Sequence, residues 1–481
     1  MKKYIYTILA VAATFSSCSK GLEVNDNINN DSKAITTIGA TVESTRAVVS
    51  SSDNTKVNWE NGDQLGVFGT NGSSEARTLA YNLITGSGST LGTFRNNSSD
   101  ITAISAVMYP YQDYATWADS KLTCEVPPVQ TAVKGSFDKN AAVMYSIGNT
   151  IDVELEYAVR FLKLTIGTGD TGIHSITFSS PSTALSGRVE VTTSGVAAVT
   201  NQSLKSVTLT AGKNQTFTEG EYYIAIVPGD IVTPTISIIR YEDGHKAKEY
   251  TKEGTGANLV FASGKNVKPV TVDFGTIDTA TGREAVQLWA DGTYWATFNV
   301  STQNIEPQES GIFYAWGDIE GQTYSNGWWS NGGFSSTPTL VPANPSVLPL
   351  CYDAAAANWN TAWRMPTGGE DVNAEFNSLK SKANYTPVSD YNGTGVKGYE
   401  LTSKDSYSEN KLFLPSAGNG FHDIYYDNNR LGDYWSNTRN PERTDVACHL
   451  YCNNDSGELA FNPASKDSER FRGFTVRAVL Q

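Results

Sequence analysis

Between residues 36 and 275, short runs of alternating apolar and polar residues are separated by turns rich in Gly, Asn and Ser, about every ten residues. An alternation with a period of two places the apolar side chains on one face of a strand. Strands with this spacing are typical of antiparallel β-sandwiches. The 42 Gly, 24 Tyr and 10 Trp residues also favour strands and turns over helical bundles. We therefore predict a mainly β protein.

The alternation indicates two tandem antiparallel β-sandwich domains, at residues 36–150 and 151–275, followed by a linker at 276–281. Beyond the linker, tryptophan becomes frequent and the loops lengthen. Two helix candidates occur there, DAAAANWNTAW and GEDVNAEFNSLKSK. We therefore predict an α+β domain at 282–481.

The N-terminus has the pattern of a secretory signal. Two lysines precede an apolar stretch from Tyr4 to Ala13 that is too short to span a bilayer, and the small residues Ser16 and Ser17 precede Cys18. This order predicts a lipoprotein signal peptide at 1–17 and lipidation of Cys18, which anchors the protein on a membrane. The alternative is a plain secretory signal with a chance cysteine near the cut. Residues 18–35 are polar and are predicted to be a tether.

The net charge of −14 argues against a nucleic-acid partner, because no concentrated basic face is visible. Besides Cys18, the chain has Cys124, Cys351, Cys448 and Cys452. In a strand the last two lie about 13 Å apart, which forbids a bond between them. Either Cys351 pairs with one of them, or all four are free thiols.

Several separated motifs in residues 36–275 occur in an order that resembles the fimbrillin (Mfa-like) family of lipoprotein pilins. They are STRA at 44–47, WENGDQLGVF at 59–68, AVMYPY at 106–111, PPVQ to GSFD at 127–138, and VELEYAVRFLKLTI. The resemblance implies two sandwiches in a surface lipoprotein. It also implies that an arginine-specific protease removes the first strand, so that a neighbouring subunit can add its own strand to the exposed groove.

In this chain the implied cut falls between Arg46 and Ala47. The strand lost would run from about Ala34 to Val42, where ITTIGATV alternates as a half-buried strand does. The alternative is that Arg46 is an ordinary loop residue that is never cut. Trp59 and Phe68 in the second motif are predicted to pack in the core.

The third domain resembles the major-paralogous-domain modules of bacterial lipoproteins, which are similar to C-type lectins and to the formylglycine-generating enzyme. The resemblance covers nearly all of 283–480 and implies a C-type-lectin-like fold. The motifs are LWADGTYWATFNV, ESGIFYAWGD, WRMPT, LFLPSAGNG, DYWSNT and RFRGFTVRAV. The loop after WRMPT departs from the pattern. Five tryptophans within or beside these motifs are predicted to be core residues: Trp289, Trp295, Trp316, Trp363 and Trp435.

The sequence shows neither the residues needed for formylglycine-generating chemistry nor those needed for calcium-dependent sugar binding. Alternation sends His449 to the opposite strand face from Cys448 and Cys452, so CHLYC is interpreted as packing rather than as a metal site. The loop motifs of calcium-dependent lectins, Glu-Pro-Asn and Trp-Asn-Asp, are absent from the sequence. We predict no catalytic residue, no metal ligand, no cofactor and no enzymatic activity.

One stretch of the third domain, Gly321 to Thr337, is rich in Gly, Ser and Asn and has no periodicity. It contains Trp328 and Trp329 with Tyr324 and Asn326 nearby. Aromatic faces beside amides are typical of sites that stack a sugar ring or anchor a partner protein. These four residues are the candidate ligand-binding set. The alternative is that both tryptophans cover the core of their own domain.

Together these patterns predict a non-enzymatic lipoprotein, anchored in the outer membrane and exposed on the cell surface. The resemblance favours a minor or tip pilus subunit that acts in adhesion. Its partners would be other pilus subunits, through strand addition, and a host or bacterial glycan or protein. Two alternatives stay open: a surface carbohydrate-binding lipoprotein that never polymerises, and, less favoured, an enzyme that uses the third domain.

Overall fold

The computed structural model describes residues 34–42, 58–253, 258–261, 266–335, 341, 345–404, 407, 409–461 and 469–481. The predicted Cys18, Arg46 and Ala47 sites lie outside these ranges. Strands dominate the structure, which confirms the predicted mainly β class. Ala34 to Gln481 form one compact unit. In the described ranges, no helix has both the length and the apolar character needed to cross a bilayer.

Among the first ten strands, the first, fourth, seventh and tenth alternate buried and more exposed residues, as their sequence predicts. The ten strands are β1 (Thr37–Val42), β2 (Gln64–Asn71), β3 (Ala76–Thr85), β4 (Leu91–Arg95), β5 (Ile101–Tyr109), β6 (Thr116–Ala118), β7 (Lys121–Val126), β8 (Val129–Thr131), β9 (Met144–Ile147) and β10 (Asp152–Tyr157). Seven of them close into a barrel in the order β1-β10-β9-β5-β2-β3-β4. Trp59 and Phe68 are fully buried in its core, which confirms their predicted packing role.

Strand β1 completes the barrel. It pairs in parallel with β10 and antiparallel with β4, so it is the strand between these two edges. Its residues Ile38, Ala40 and Val42 point into the core, in the period of two that the sequence shows. Strand β10 lies beyond residue 150 in the chain, and this pairing brings it into the sheet of the first domain.

The next nine strands form most of the second sandwich. They are β11 (Arg160–Ile166), β12 (Ile173–Ser179), β13 (Ser186–Thr192), β14 (Gly195–Leu204), β15 (Ser206–Thr210), β16 (Gly220–Ile226), β17 (Thr235–Glu242), β18 (Lys246–Glu253) and β19 (Val267–Pro269). The sheet β16-β11-β19 shares an apolar core with β12, β15 and β17. A separate sheet, β14-β13-β7-β6, combines strands from both sides of residue 150.

The remaining elements are short and are joined by long loops. They are β20 (Thr279–Gln287), β21 (Tyr294–Ala296), β22 (Tyr324–Ser325), β23 (Trp328–Trp329), α1 (Ala354–Asn358), β24 (Trp363–Arg364), α2 (Glu375–Lys382), β25 (Ala383–Val388), β26 (Gly398–Ser403), β27 (Lys411–Pro415), β28 (Asn419–Phe421), β29 (Ile424–Tyr426), β30 (Leu431–Arg439), β31 (Ala447–Asn453), β32 (Glu458–Phe461) and β33 (Val479–Leu480). Both predicted helices are present. Asp353 caps α1 by accepting hydrogen bonds from Ala355 and Ala356.

A nine-stranded sheet joins the second sandwich to the C-terminal module, in the order β24-β33-β21-β20-β18-β17-β12-β15-β8. Strand β20 contains residues 279–281, half of the predicted linker, and pairs with β18 on one side and, at its C-terminal end, with β21 on the other. The second half of the predicted linker is therefore part of the sheet, paired with β18. It positions the module directly against the second sandwich.

The tryptophans of the C-terminal motifs are core residues, as predicted. Trp289, Trp295, Trp316, Trp363 and Trp435 are each at most 5% exposed. The four cysteines of the described ranges are free thiols, and three of them are buried. This agrees with the free-thiol alternative of the sequence analysis.

Candidate functional site

The predicted ligand-binding residues lie in one β-hairpin, which we call the tryptophan hairpin (residues 324–329). Strands β22 and β23 pair Tyr324 with Trp329 and Ser325 with Trp328. The two residues between them, Asn326 and Gly327, have φ angles of 53° and 87°. Positive φ at both central positions is the geometry of a type I′ turn, for which Asn-Gly is the preferred pair.

The hairpin separates the two neighbouring tryptophans. Successive side chains of a strand point to opposite faces, so Trp329 points inward and Trp328 points outward. Trp329 is 6% exposed and Trp328 is 78% exposed. The predicted pair is therefore divided between the two alternatives of the sequence analysis, with Trp329 in the core and Trp328 at the surface.

Trp329 is held in a cluster of aromatic rings. Its ring contacts those of Phe313, Tyr324, Phe334 and Tyr425 edge-on, with centroids 5.0–5.6 Å apart. Edge-to-face contacts at these distances are the favoured geometry for aromatic pairs. The hairpin is thus fixed through its inner face, although it has only two residues in each strand.

Two glycines pack closely against this cluster. A Cβ atom at Gly420 would lie 2.4 Å from the Phe334 ring, and one at Gly473 would lie 2.2 Å from it. Any larger residue at either position would displace Phe334 and, with it, the ring packed on Trp329. The LFLPSAGNG and RFRGFTVRAV motifs each contribute one of these glycines.

The side chain of Gln322 fixes the segment that follows the tryptophan hairpin. Its oxygen accepts hydrogen bonds from the backbone N–H groups of Gly333, at 2.8 Å, and Asn331, at 3.3 Å, and its amide donates to the carbonyl of Gly333. The backbone of Gln322 also pairs with Phe313 in both directions. The apparently unpatterned loop is therefore anchored at its base.

A second hairpin, β28–β29, is adjacent to the first. The Phe334 N–H donates to the His422 carbonyl at 2.7 Å, and the rings of Tyr324 and Tyr425 are 4.5 Å apart. Tyr425 points inward, where burial raises its pKa to about 12 and its hydroxyl donates to the Ala417 carbonyl. The Tyr425 hydroxyl therefore stays neutral.

The outer positions of β29 add exposed apolar surface. Ile424 is 47% exposed and Tyr426 is 36% exposed. A tryptophan, an isoleucine and a tyrosine thus stand in solvent on two hairpins that share one aromatic cluster. Such surface on a fixed scaffold is typical of a binding site.

The other two predicted residues, Tyr324 and Asn326, lie in different environments. Tyr324 is half-buried against Trp329, and Asn326 is an exposed turn residue. The Asn-Gly dipeptide is the sequence signal that identifies this hairpin. The β28–β29 hairpin was not predicted, because its strands have three residues each and show no period.

The CHLYC segment lies in strand β31. His449 contacts the rings of Trp435 and Phe474, and Cys452 lies in a separate apolar cluster with Tyr434. His449 Nε2 is 3.4 Å from the carboxylate of Asp433. No group of three or more potential metal ligands occurs within the described part of the chain.

No protein-family model matches this chain, and no curated protein matches it. Two solved structures show weak similarity. One, from Parabacteroides distasonis, is described as a "putative cell adhesion protein"; it is 10% identical with a TM-score of 0.23, over 45% of this chain and 78% of that one. The other is a leucine-rich repeat protein from Bacteroides thetaiotaomicron, 11% identical with a TM-score of 0.16, over 51% of this chain and 27% of that one. Similarity at this level carries no argument about fold or function.

Proposed function

We propose that this chain is a non-enzymatic, lipid-anchored adhesion protein of the outer cell surface, and that the tryptophan hairpin contacts its ligand. The observation that carries the proposal is the 78% exposure of Trp328 beside the buried Trp329. With the exposed Ile424 and Tyr426 of the adjacent hairpin, the indole adds apolar surface on a fixed scaffold, which is typical of an interaction site. The buried neighbour holds the backbone of Trp328 in place before binding.

A glycan is the ligand that this geometry favours. The exposed indole face stands beside the polar residues Ser325 and Asn326, which are both exposed. Stacking of an aromatic face on the apolar face of a sugar, with hydrogen bonds at its rim, uses this combination. Because the hairpin is fixed by its inner contacts, little conformational entropy is lost on binding.

Trp328→Ala tests the adhesive site. Detergent-solubilised full-length protein is applied to a printed glycan array, and Ile424→Ser, which lies on the outer face of β29, is tested in parallel. We expect Trp328→Ala to abolish glycan binding while the circular dichroism spectrum and melting temperature stay unchanged. Binding that survives in Trp328→Ala would exclude this hairpin as the adhesive site.

The position of β1 supports a role as a pilus subunit. Removal of β1 after cleavage at Arg46 would expose the facing edges of β4 and β10, and a strand from another subunit could pair with both. Strand β33 pairs with β21 on one side and β24 on the other in the nine-stranded sheet, so it is not free to add to the sheet of another subunit. This arrangement favours a minor or tip position over a shaft position. The non-polymerising carbohydrate-binding lipoprotein remains the alternative.

The anchor is tested by Cys18→Ala. Without an acylated cysteine, the protein should leave the washed membrane fraction and appear in the soluble fraction, because two or three acyl chains supply the membrane affinity. Cell fractionation and immunoblotting measure this. A mutant protein that stays in the washed membranes would contradict lipidation of Cys18.

A further inference from the structure

A cavity of about 390 Å³ lies between the second sandwich and the C-terminal module. We call it the interface cavity. None of its lining residues belongs to the tryptophan hairpin. Its lining residues are Tyr114, Glu125, Pro128, Gly187, Arg188, Gln202, Leu204, Pro345, Val347, Leu348, Pro349, Leu350, Cys351 and Tyr352. Small-molecule sites have volumes of about 300–1,000 Å³ and occur preferentially at domain interfaces.

The two walls of the cavity are apolar. The sandwich contributes Pro128 and Leu204, which are both buried, and the module contributes the segment 345–352, with two prolines and two leucines. Leu348 is 4% exposed and holds this segment against the module core. An occupant would therefore gain affinity mainly from burial of apolar surface.

One polar group at the cavity has an unused hydrogen-bond donor. Arg188 donates from Nη2 to the Tyr114 carbonyl at 3.0 Å. Its Nε–H is buried and has no hydrogen-bond partner within the described structure. A buried donor without an acceptor costs about 1–3 kcal/mol. The guanidinium carries five N–H donors, so its groups at the cavity wall can donate to an acceptor that an occupant brings.

The charge of Arg188 is balanced locally. Glu125 lies directly opposite it in the β7–β13 ladder, so the two side chains share one face of the sheet. Burial raises the pKa of the Glu125 carboxyl, and the nearby Arg188 opposes that rise. An occupant with a net charge of either sign would therefore meet a like charge in a poorly solvated site.

We propose that the interface cavity binds one uncharged, mainly apolar small molecule whose carbonyl or hydroxyl oxygen accepts a hydrogen bond from the Arg188 guanidinium. The volume, the apolar walls, the balanced charge pair and the guanidinium at the cavity wall support this ligand class together. The cavity is independent of the glycan site, so loss of one activity leaves the other measurable.

Cys351 provides a reporter inside the cavity. It is half-buried and lines the cavity, whereas Cys124, Cys448 and Cys452 are buried. Burial raises its pKa to about 12, so alkylation is slow and its rate is easily measured by mass spectrometry. An occupant that fills the cavity should shield the thiol and slow the reaction further.

The test uses Nile red, an uncharged apolar dye with a carbonyl acceptor, on detergent-solubilised full-length protein with a matched detergent blank. Anilinonaphthalene sulfonate, a dye of similar size that carries a negative charge, is the comparison probe. Leu350→Trp fills the cavity from a half-buried position. Arg188→Lys keeps the positive charge opposite Glu125 but removes the guanidinium donors. Trp328→Ala tests whether the dye binds at the tryptophan hairpin rather than in the cavity.

We expect Nile red to bind at one saturable site and to slow Cys351 alkylation at least tenfold. Leu350→Trp should abolish both effects, Arg188→Lys should weaken dye binding about tenfold for the lost hydrogen bond, and Trp328→Ala should change neither. Dye binding that survives Leu350→Trp, or that is lost in Trp328→Ala, would overturn the site. Equal protection of Cys351 by the sulfonate dye would overturn the ligand class.

Discussion

At the scale of single residues, two adjacent tryptophans have opposite tasks because a strand has a period of two. Trp329 contributes its whole ring to the aromatic cluster, while Trp328 leaves most of its ring in solvent. Both residues are tryptophans, and they are adjacent in the chain. The difference in their environment is therefore a property of strand geometry, and the two residues serve as controls for each other.

Trp329→Ala should lower the free energy of unfolding by about 3–5 kcal/mol, because it removes a buried ring and leaves a cavity beside Phe334. Trp328→Ala should change it by less than about 0.5 kcal/mol, because its ring is mostly hydrated already. Urea unfolding followed by circular dichroism measures both values. Equal losses in the two variants would contradict the assigned burial.

At the scale of elements, the tryptophan hairpin depends on its turn more than on the length of its strands. Gly327 has a φ of 87°, where an L-residue is strained, and an added Cβ atom would meet nothing within 4 Å. Backbone conformation is thus the only property that a small substitution there changes. Asn326 is at the other central position, where both Asn and Gly adopt positive φ readily.

Gly327→Ala should therefore weaken glycan binding by about five- to thirtyfold through roughly 1–2 kcal/mol of backbone strain in the turn. Asn326→Gly keeps the turn and removes the amide, so binding should stay within about threefold of the parent protein. Titration on the glycan identified by the array gives both affinities. If Asn326→Gly loses binding as completely as Trp328→Ala, the Asn326 amide contributes more to binding than one rim hydrogen bond, and the indole is not the main contact.

Strand β1 is the element on which the assembly proposal depends. Arg46→Ala should leave the barrel closed with its own β1, so that no groove is available to a partner strand. We expect unboiled samples on a denaturing gel to lose the ladder of polymers. Arg443→Ala, an exposed arginine of the C-terminal module that pairs with Asp445, should leave the ladder unchanged. A full-length ladder from Arg46→Ala would show that the cut is unnecessary.

Local patterns predicted the elements whose partners lie nearby in the chain. The alternation of β1, the turn before β2 and the two helices could all be identified from sequence. Long-range pairing could not, because alternation defines the faces of a strand and not its neighbours. Strand β10 joins the barrel by pairing with β1, more than a hundred residues earlier, and β20, which contains half of the predicted linker, pairs with β18. The Asn-Gly pair at 326–327 is a turn signal, but the residues around it have no periodicity that would predict the flanking strands.

At the scale of the whole molecule, the continuous nine-stranded sheet makes the C-terminal module an extension of the second sandwich. Buried polar contacts reinforce this junction. Glu249, which is 1% exposed, accepts hydrogen bonds from Asn360 at 2.5 Å and Arg283 at 3.0 Å, and the hydroxyls of Thr208 and Thr361 are 2.8 Å apart. A load applied at the tryptophan hairpin would pass into the sandwiches through paired strands rather than through a flexible tether.

Glu249→Ala should break this junction selectively. It leaves Arg283 and Asn360 without their acceptor in a poorly solvated place, and loss of one partner of a buried ion pair costs about 3 kcal/mol or more. We expect scanning calorimetry to show a separate, earlier transition for the C-terminal module, with Glu249→Gln intermediate because it keeps the shape and loses the charge. The matched control is Glu400→Ala, which removes an exposed ion pair with Lys411 and should cost at most about 1 kcal/mol. If both variants shift the melting profile equally and keep one transition, the module does not depend on the Glu249 contacts for its coupling to the sandwich.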